Sequence, residues 1–124
     1  MIVADANVVI MAGGDGDGTF LQQCAAPPLM HSELLSVLHA SCMKGLITEH
    51  DALATIDLAR TVRTVEPEEL AATAWRLAST LGWHKTYDAE YLALANITGA
   101  EIATLDGRMI RAAQRLGISV HDLT

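Results

Sequence analysis

The sequence predicts an α/β fold, a three-layer α/β/α sandwich around a central parallel sheet of four to five strands. Three observations carry that expectation. Short β-like runs alternate with amphipathic stretches of about a dozen residues, the pattern of a parallel sheet with helices on both faces. Gly45, Gly82, Gly99 and Gly117 each stand just past the end of such a stretch, where a helix terminates. One stretch, Asp88 to Thr98, is apolar nearly all the way round, as a central buried helix is.

The elements follow in chain order. The β-like runs are Ile2 to Ala4, Val62 to Val65, Ile102 to Leu105 and Ile118 to Val120. Met30, Leu34, Val37, Leu38 and Cys42 recur at helical offsets and predict a helix over residues 31–44. Thr48, with Asp51 three residues on, resembles a capping box opening a second helix that turns Leu53, Ile56 and Ala59 inward. Pro67, Glu68 and Glu69 open a third, with Leu70, Ala74, Leu77, Ala78 and Leu81 on one stripe. In the fourth, Ala89 and Tyr91 to Ala95 are all apolar. The last begins after Asp106 and splits into an inner stripe of Met109, Ala113 and Leu116 and an outer one of Arg108, Arg111 and Arg115. The glycine-rich stretch Gly13 to Gly18 reads as a flexible surface loop. Its Asp15 and Asp17 do not make a calcium loop of the EF-hand type, because Phe20 stands where glycine is needed and Ala26 where glutamate is needed.

A chain of 124 residues is the size of one domain, taken as 1–124. Such a domain buries roughly 65% of its unfolded surface. Half the residues are apolar, too many for a disordered chain, yet no apolar run approaches the length of a membrane span. Asp5 lies in the first apolar run and no basic segment precedes it, so a cytoplasmic protein without a leader is expected. Cys24 and Cys42 have neither disulfide nor metal spacing and read as buried thiols.

The net charge of −7 argues against a broad basic surface for gripping nucleic acid. The imbalance is confined to the first 69 residues, which hold ten acids and three bases, whereas the rest holds five of each. Any surface facing a polyanion is therefore expected in the second half.

In an open parallel sheet, ligands gather outside the carboxyl ends of the strands. Asp5 closes the first β-like run and Asp106 the run Ile102 to Leu105. Each has a plain alternative as a helix N-cap. Asp88 opens the most buried helix, where an ionised carboxylate is costly unless paired or metal-bound, and Glu33 lies near the start of another. A helix N-terminus favours negative charge and accounts for both in part. Four acids converging on one sheet edge repel one another, and a hard divalent cation, Mg²⁺ or Mn²⁺, is the usual remedy.

The order Val3 Ala4 Asp5 Ala6 Asn7, then His31 Ser32 Glu33 Leu34, then Tyr87 Asp88 Ala89 Glu90 Tyr91 Leu92 Ala93 Leu94 Ala95, then Thr104 Leu105 Asp106 Gly107 Arg108 Met109, resembles the PIN-domain ribonucleases. Within them it looks most like the VapC toxins of VapBC toxin–antitoxin pairs. The resemblance spans almost the whole chain. It implies a metal-dependent endoribonuclease with one or two Mg²⁺ or Mn²⁺ ions, whose acidic pocket matches Asp5, Glu33, Asp88 and Asp106. Asp5 and Asp88 would be primary ligands, and Asn7 and Thr104 would be supporting polar groups. A partner antitoxin and a homodimer are also implied. The chain departs from the family where Gly13 to Gly18 and a short segment through Ala26 replace a longer helical stretch.

Lys85 and Arg108 are candidate RNA contacts, although the arginine stripe is equally a solvated helix face. Trp75 and Trp83 read as core or partner interface. Rival readings are a housekeeping RNA-processing nuclease and an inactive PIN-fold binding module. A phosphoacceptor signalling domain is disfavoured because Asp5 has no acidic neighbour and no lysine follows Lys85. Phosphatases with a strand-end Asp-x-Asp fail at Asn7.

Overall fold

A computed structural model describes residues 1–124. The chain runs β1 (Ile2–Ala4), α1 (Ala6–Gly14), α2 (Gly18–Gln22), β2 (Cys24–Ala26), α3 (Leu29–Met43), α4 (Glu49–Ala59), β3 (Arg63–Thr64), α5 (Leu70–Leu81), α6 (Tyr87–Thr98), β4 (Glu101–Ala103) and α7 (Gly107–Arg115). All strand pairs are parallel, in the order β3-β2-β1-β4. Val3 stands opposite Ala25 on one side and Ile102 on the other.

That order fixes the layers. The chain steps outward from β1 to β2 to β3, then crosses back to β4 on the far side of β1. Right-handed crossovers in opposite directions put the intervening helices on opposite faces. Accordingly α1, α3 and α4 pack together, while α5 packs on α6 and α6 on β1 and β4. The reversal of direction between β1 and β4 opens a crevice outside their carboxyl ends.

Small and apolar side chains decide the packing. The α6 helix is the central one expected, with Ala89 and Tyr91 to Ala95 all buried. Met109 and Ala113 of α7 are buried, and the three arginines lie outside. Thr48 accepts a hydrogen bond from Asp51 N–H at 3.1 Å and caps α4 as its spacing predicts. Gly82 and Gly99 end α5 and α6 in the left-handed region at φ 72° and 70°, a conformation that a side chain would strain.

Several expectations need correction. The strand Cys24–Ala26 falls where only a loop and short segment are expected; its small residues carry no β-branched or aromatic signal, and pairing with β1 and β3 makes it a strand. The glycine-rich loop shrinks to a turn, because α1 runs through Gly14 and α2 starts at Gly18. Ile118 to Val120 forms not a fifth strand but one bridge, from Val120 to Ile102. The third helix begins at Leu70, with Pro67 to Glu69 forming the turn before it.

Val37 and Leu53, predicted to face inward, are 41% and 58% exposed. The inner stripe of α3 is Met30, Leu34 and Leu38, and that of α4 is Ala52, Thr55 and Ala59. Small residues on α4 let it approach α1 so closely that a Cβ on Gly13 would lie 3.0 Å from the Thr55 methyl. Cys24 is buried, but Cys42 is only half-buried.

Candidate active site

Asp5 follows β1 directly, and its N–H donates to Ala103 O at 3.2 Å, locking the ends of β1 and β4 together. Its Oδ1 accepts from Val8 N–H at 3.0 Å, the N-cap bond of α1. Its Oδ2 accepts from the Thr104 hydroxyl at 2.5 Å. Thr104 is buried, and its Oγ1 accepts in turn from Asp106 N–H at 3.1 Å. Asp106 caps α7 by accepting from Arg108 N–H at 2.8 Å. Both aspartates are therefore caps, as the plain alternative holds, and capping engages only one oxygen of each. A hydrogen-bond relay from Asp106 through Thr104 to Asp5 fixes two of the four acids.

The other two are set by helices. Glu33 lies one turn inside α3, which starts at Leu29, so the helix N-terminus accounts for it less well than its sequence position suggests. Its carboxylate accepts a hydrogen bond from the Tyr91 hydroxyl. Tyr91 is buried on α6, and a buried phenol needs such a partner. Asp88, in the first turn of α6, is half-buried, and its Oδ2 lies 2.8 Å from Arg108 Nη2. The Arg108 guanidinium also lies over the Trp83 ring, 4.4 Å from its centroid.

Two of the four acids feel their acidic neighbours. Burial pushes the Asp5 carboxyl above the usual aspartate range; the bonds from Thr104 and Val8 N–H oppose this, and the charges of Asp88 and Asp106 reinforce it. Glu33 is raised by burial, opposed by the Tyr91 bond and reinforced by Asp88 and Asp5. Glu90, two residues after Asp88 in α6, is raised by burial and by the charges of Glu33 and Glu66. The acidic field thus extends beyond the four residues picked out in the sequence.

Beside the cluster is a cleft of about 460 Å³ lined by Glu33, Trp83, His84, Lys85, Asp88 and Arg108 among others. Lys85 stands exposed on its wall. Asn7 is exposed in the first turn of α1, with no hydrogen bond joining its side chain to the cluster. Two residues escape the sequence reading as site components. Tyr91 holds Glu33, and Trp83 carries Arg108. The signal for Tyr91 is its place three residues after Asp88, one turn along the same helix.

Hard oxygen donors under mutual repulsion fit a divalent cation chemically. As the side chains stand, no three acidic, imidazole or thiol groups are close enough to share one ion. Each carboxylate has a protein partner: Asp5 has Thr104, Glu33 has Tyr91, Asp88 has the Arg108 guanidinium and Asp106 has Arg108 N–H.

The sequence model of the PIN domain matches residues 2–115. The chain belongs to the PIN-domain family. PIN domains are in general nucleases, and they generally use divalent metals. Among solved structures, this PIN domain is similar to the crystal structure of PAE2754 from Pyrobaculum aerophilum, with a TM-score of 0.76 and 19% identity over 90% of this chain and 84% of that one. At that identity the likeness speaks for the fold. No curated protein matches the chain. No helix is long and apolar enough to cross a membrane.

Proposed function

We propose that this PIN domain is a metal-dependent endoribonuclease and the toxin of a toxin–antitoxin pair. The nuclease reading is supported by Asp5 at the end of β1, raised by burial and by the charges of Asp88 and Asp106, and by Glu33, raised by burial and by the charges of Asp88 and Asp5. The toxin reading is supported by the order of motifs along the sequence.

Asp5 and Asp88 would hold a Mg²⁺ or Mn²⁺ ion directly, with Glu33 and Asp106 holding its waters or a second ion. A divalent ion so held supplies an acidified water and charge neutralisation for phosphodiester hydrolysis. The protein's own part is positional. Thr104 and Asp106 N–H orient the Asp5 carboxylate, Tyr91 orients Glu33, and Lys85 and Arg108 offer cations to the RNA phosphates.

The antitoxin and homodimer belong to the same reading. They are supported by large apolar side chains left exposed on α3, on α4 and in the turn between them: Leu35, Val37, Met43, Leu46 and Leu53.

Purified wild-type protein is expected to cleave RNA only with Mg²⁺ or Mn²⁺ present and to arrest growth when expressed alone. Asp5→Ala and Asp88→Ala are expected to lose both properties while keeping the wild-type circular dichroism spectrum. Undiminished cleavage by Asp88→Ala would overturn the site. Cleavage without growth arrest would leave a nuclease but remove the toxin.

A further inference from the structure

We propose that Arg108 is a displaceable positioning residue, which holds Asp88 while the carboxylate cluster lacks a cation and turns to the RNA phosphate once one binds. The inference rests on the nuclease reading above and deepens it.

Arg108 touches two of the four acids in different ways. Its backbone N–H donates to Asp106 Oδ1 at 2.8 Å, which fixes its base at the start of α7. Its guanidinium reaches across to α6 and pairs with Asp88 Oδ2 at 2.8 Å. One guanidinium cannot neutralise four carboxylates, so the site with Arg108 in place still favours a more highly charged cation.

Release from Asp88 is easy for two reasons. The arginine side chain is 55% exposed and the aspartate 36%, and an ion pair so open to water is weak. The guanidinium also has a second support, the Trp83 face, 4.4 Å from the ring centroid. Trp83, Lys85 and Arg108 line the same cleft, so a guanidinium freed from Asp88 remains beside the cation that a phosphate would approach. Asp88 can present Oδ2 to a metal only when Arg108 has left it. The residue thus links filling of the cluster to exposure of a phosphate-binding group.

The test is Mg²⁺ binding by calorimetry to the protein, to Arg108→Met and to Arg111→Met, all in a Trp75→Phe background that leaves Trp83 as the only tryptophan. Arg111→Met removes the same charge from the same helix without a contact to Asp88. Arg108→Met is expected to bind Mg²⁺ about three- to fivefold tighter, and Arg111→Met less than about twofold tighter. Trp83 emission is expected to change on Mg²⁺ addition in the arginine-bearing protein and to stay flat in Arg108→Met. Equal affinity in all three proteins, or an equal gain in both variants, overturns the role of Arg108 and leaves the metal site standing. Absence of Mg²⁺ binding in all three, with folding checked by circular dichroism, overturns the nuclease reading and the arginine's role together.

Discussion

The Thr104 hydroxyl stands 2.5 Å from Asp5 Oδ2, joining residues 99 positions apart in sequence and tying the ends of β1 and β4 together beside the acidic residues. The Thr104 Oγ1 in turn accepts from Asp106 N–H. Thr104→Val keeps the shape but removes the donor and leaves Asp106 N–H without its acceptor. A loss of about 1–3 kcal/mol in urea unfolding is expected. The Thr104 bond pulls the Asp5 carboxyl down, so its loss raises that carboxyl further. The acidic limb of the cleavage pH profile should therefore move to higher pH, and an unmoved limb would show that Asp5 ionisation does not govern activity.

Stability should fall as pH rises in the absence of metal. The folded state raises Asp5 above its ordinary 3.8 and Glu33 above its ordinary 4.5, so it binds protons more tightly there than the unfolded chain does. The stability these two groups contribute is present below their ordinary values and is lost as pH climbs through the raised ones. Asp5→Asn removes one charge from the cluster and should raise Tm in EDTA at pH 7 by about 3–5 °C, equivalent to about 1 kcal/mol for a chain of this size. At pH 4 the gain should shrink. Mg²⁺ should stabilise the parent protein more at pH 7 than at pH 5.

Gly13→Ala should change sign with its neighbour. Alanine in a helix gains about 1 kcal/mol over glycine, but its Cβ would meet the Thr55 methyl at 3.0 Å. Alone the substitution should destabilise, by about 1 kcal/mol, because α1 and α4 must shift apart. With Thr55→Ser, which deletes that methyl, it should stabilise relative to Thr55→Ser alone. Chemical denaturation of the four-member cycle reads the coupling, and additive effects would refute the contact.

Lys85→Ala should weaken RNA binding and flatten its salt dependence. With an uncleavable 2′-O-methyl oligonucleotide and fluorescence anisotropy, the slope of log K against log salt should fall by about 0.7 for one lost phosphate contact. Arg115→Ala, at the far end of α7 where the side chain reaches Thr80 O, should leave the slope unchanged. Equal effects would point to bulk charge in place of a defined RNA path.

What the sequence disclosed depended on how local the signal was. The α6 helix was legible because Ala89 and Tyr91 to Ala95 leave no polar face, and the acids at strand ends because an aspartate before a helix has few roles. Cys24–Ala26 was not legible, because three small residues become a strand only through partners drawn from Ile2–Val3 and Arg63–Thr64. Val37 and Leu53 were misplaced because periodicity finds a helix but not which flank its neighbours leave open. In the site, the residue types were visible and their restraints were not. The contacts of Tyr91 with Glu33 and of Arg108 with Asp88 and Trp83 arise only when segments distant in sequence meet.

The bridge between Val120 and Ile102 has a consequence for how copies of the protein meet in solution. Ile102 N–H donates to Ser119 O at 2.9 Å and His121 N–H to Ile102 O at 2.8 Å, so the segment after α7 covers the outer margin of β4. At the opposite margin β3 is only two residues long and carries Arg63. An open row of backbone donors and acceptors is a template for uncontrolled strand addition between molecules, and this sheet offers none of any length. The family match stops at residue 115, yet the six residues that follow, through His121, make up the guard that keeps the sheet from growing.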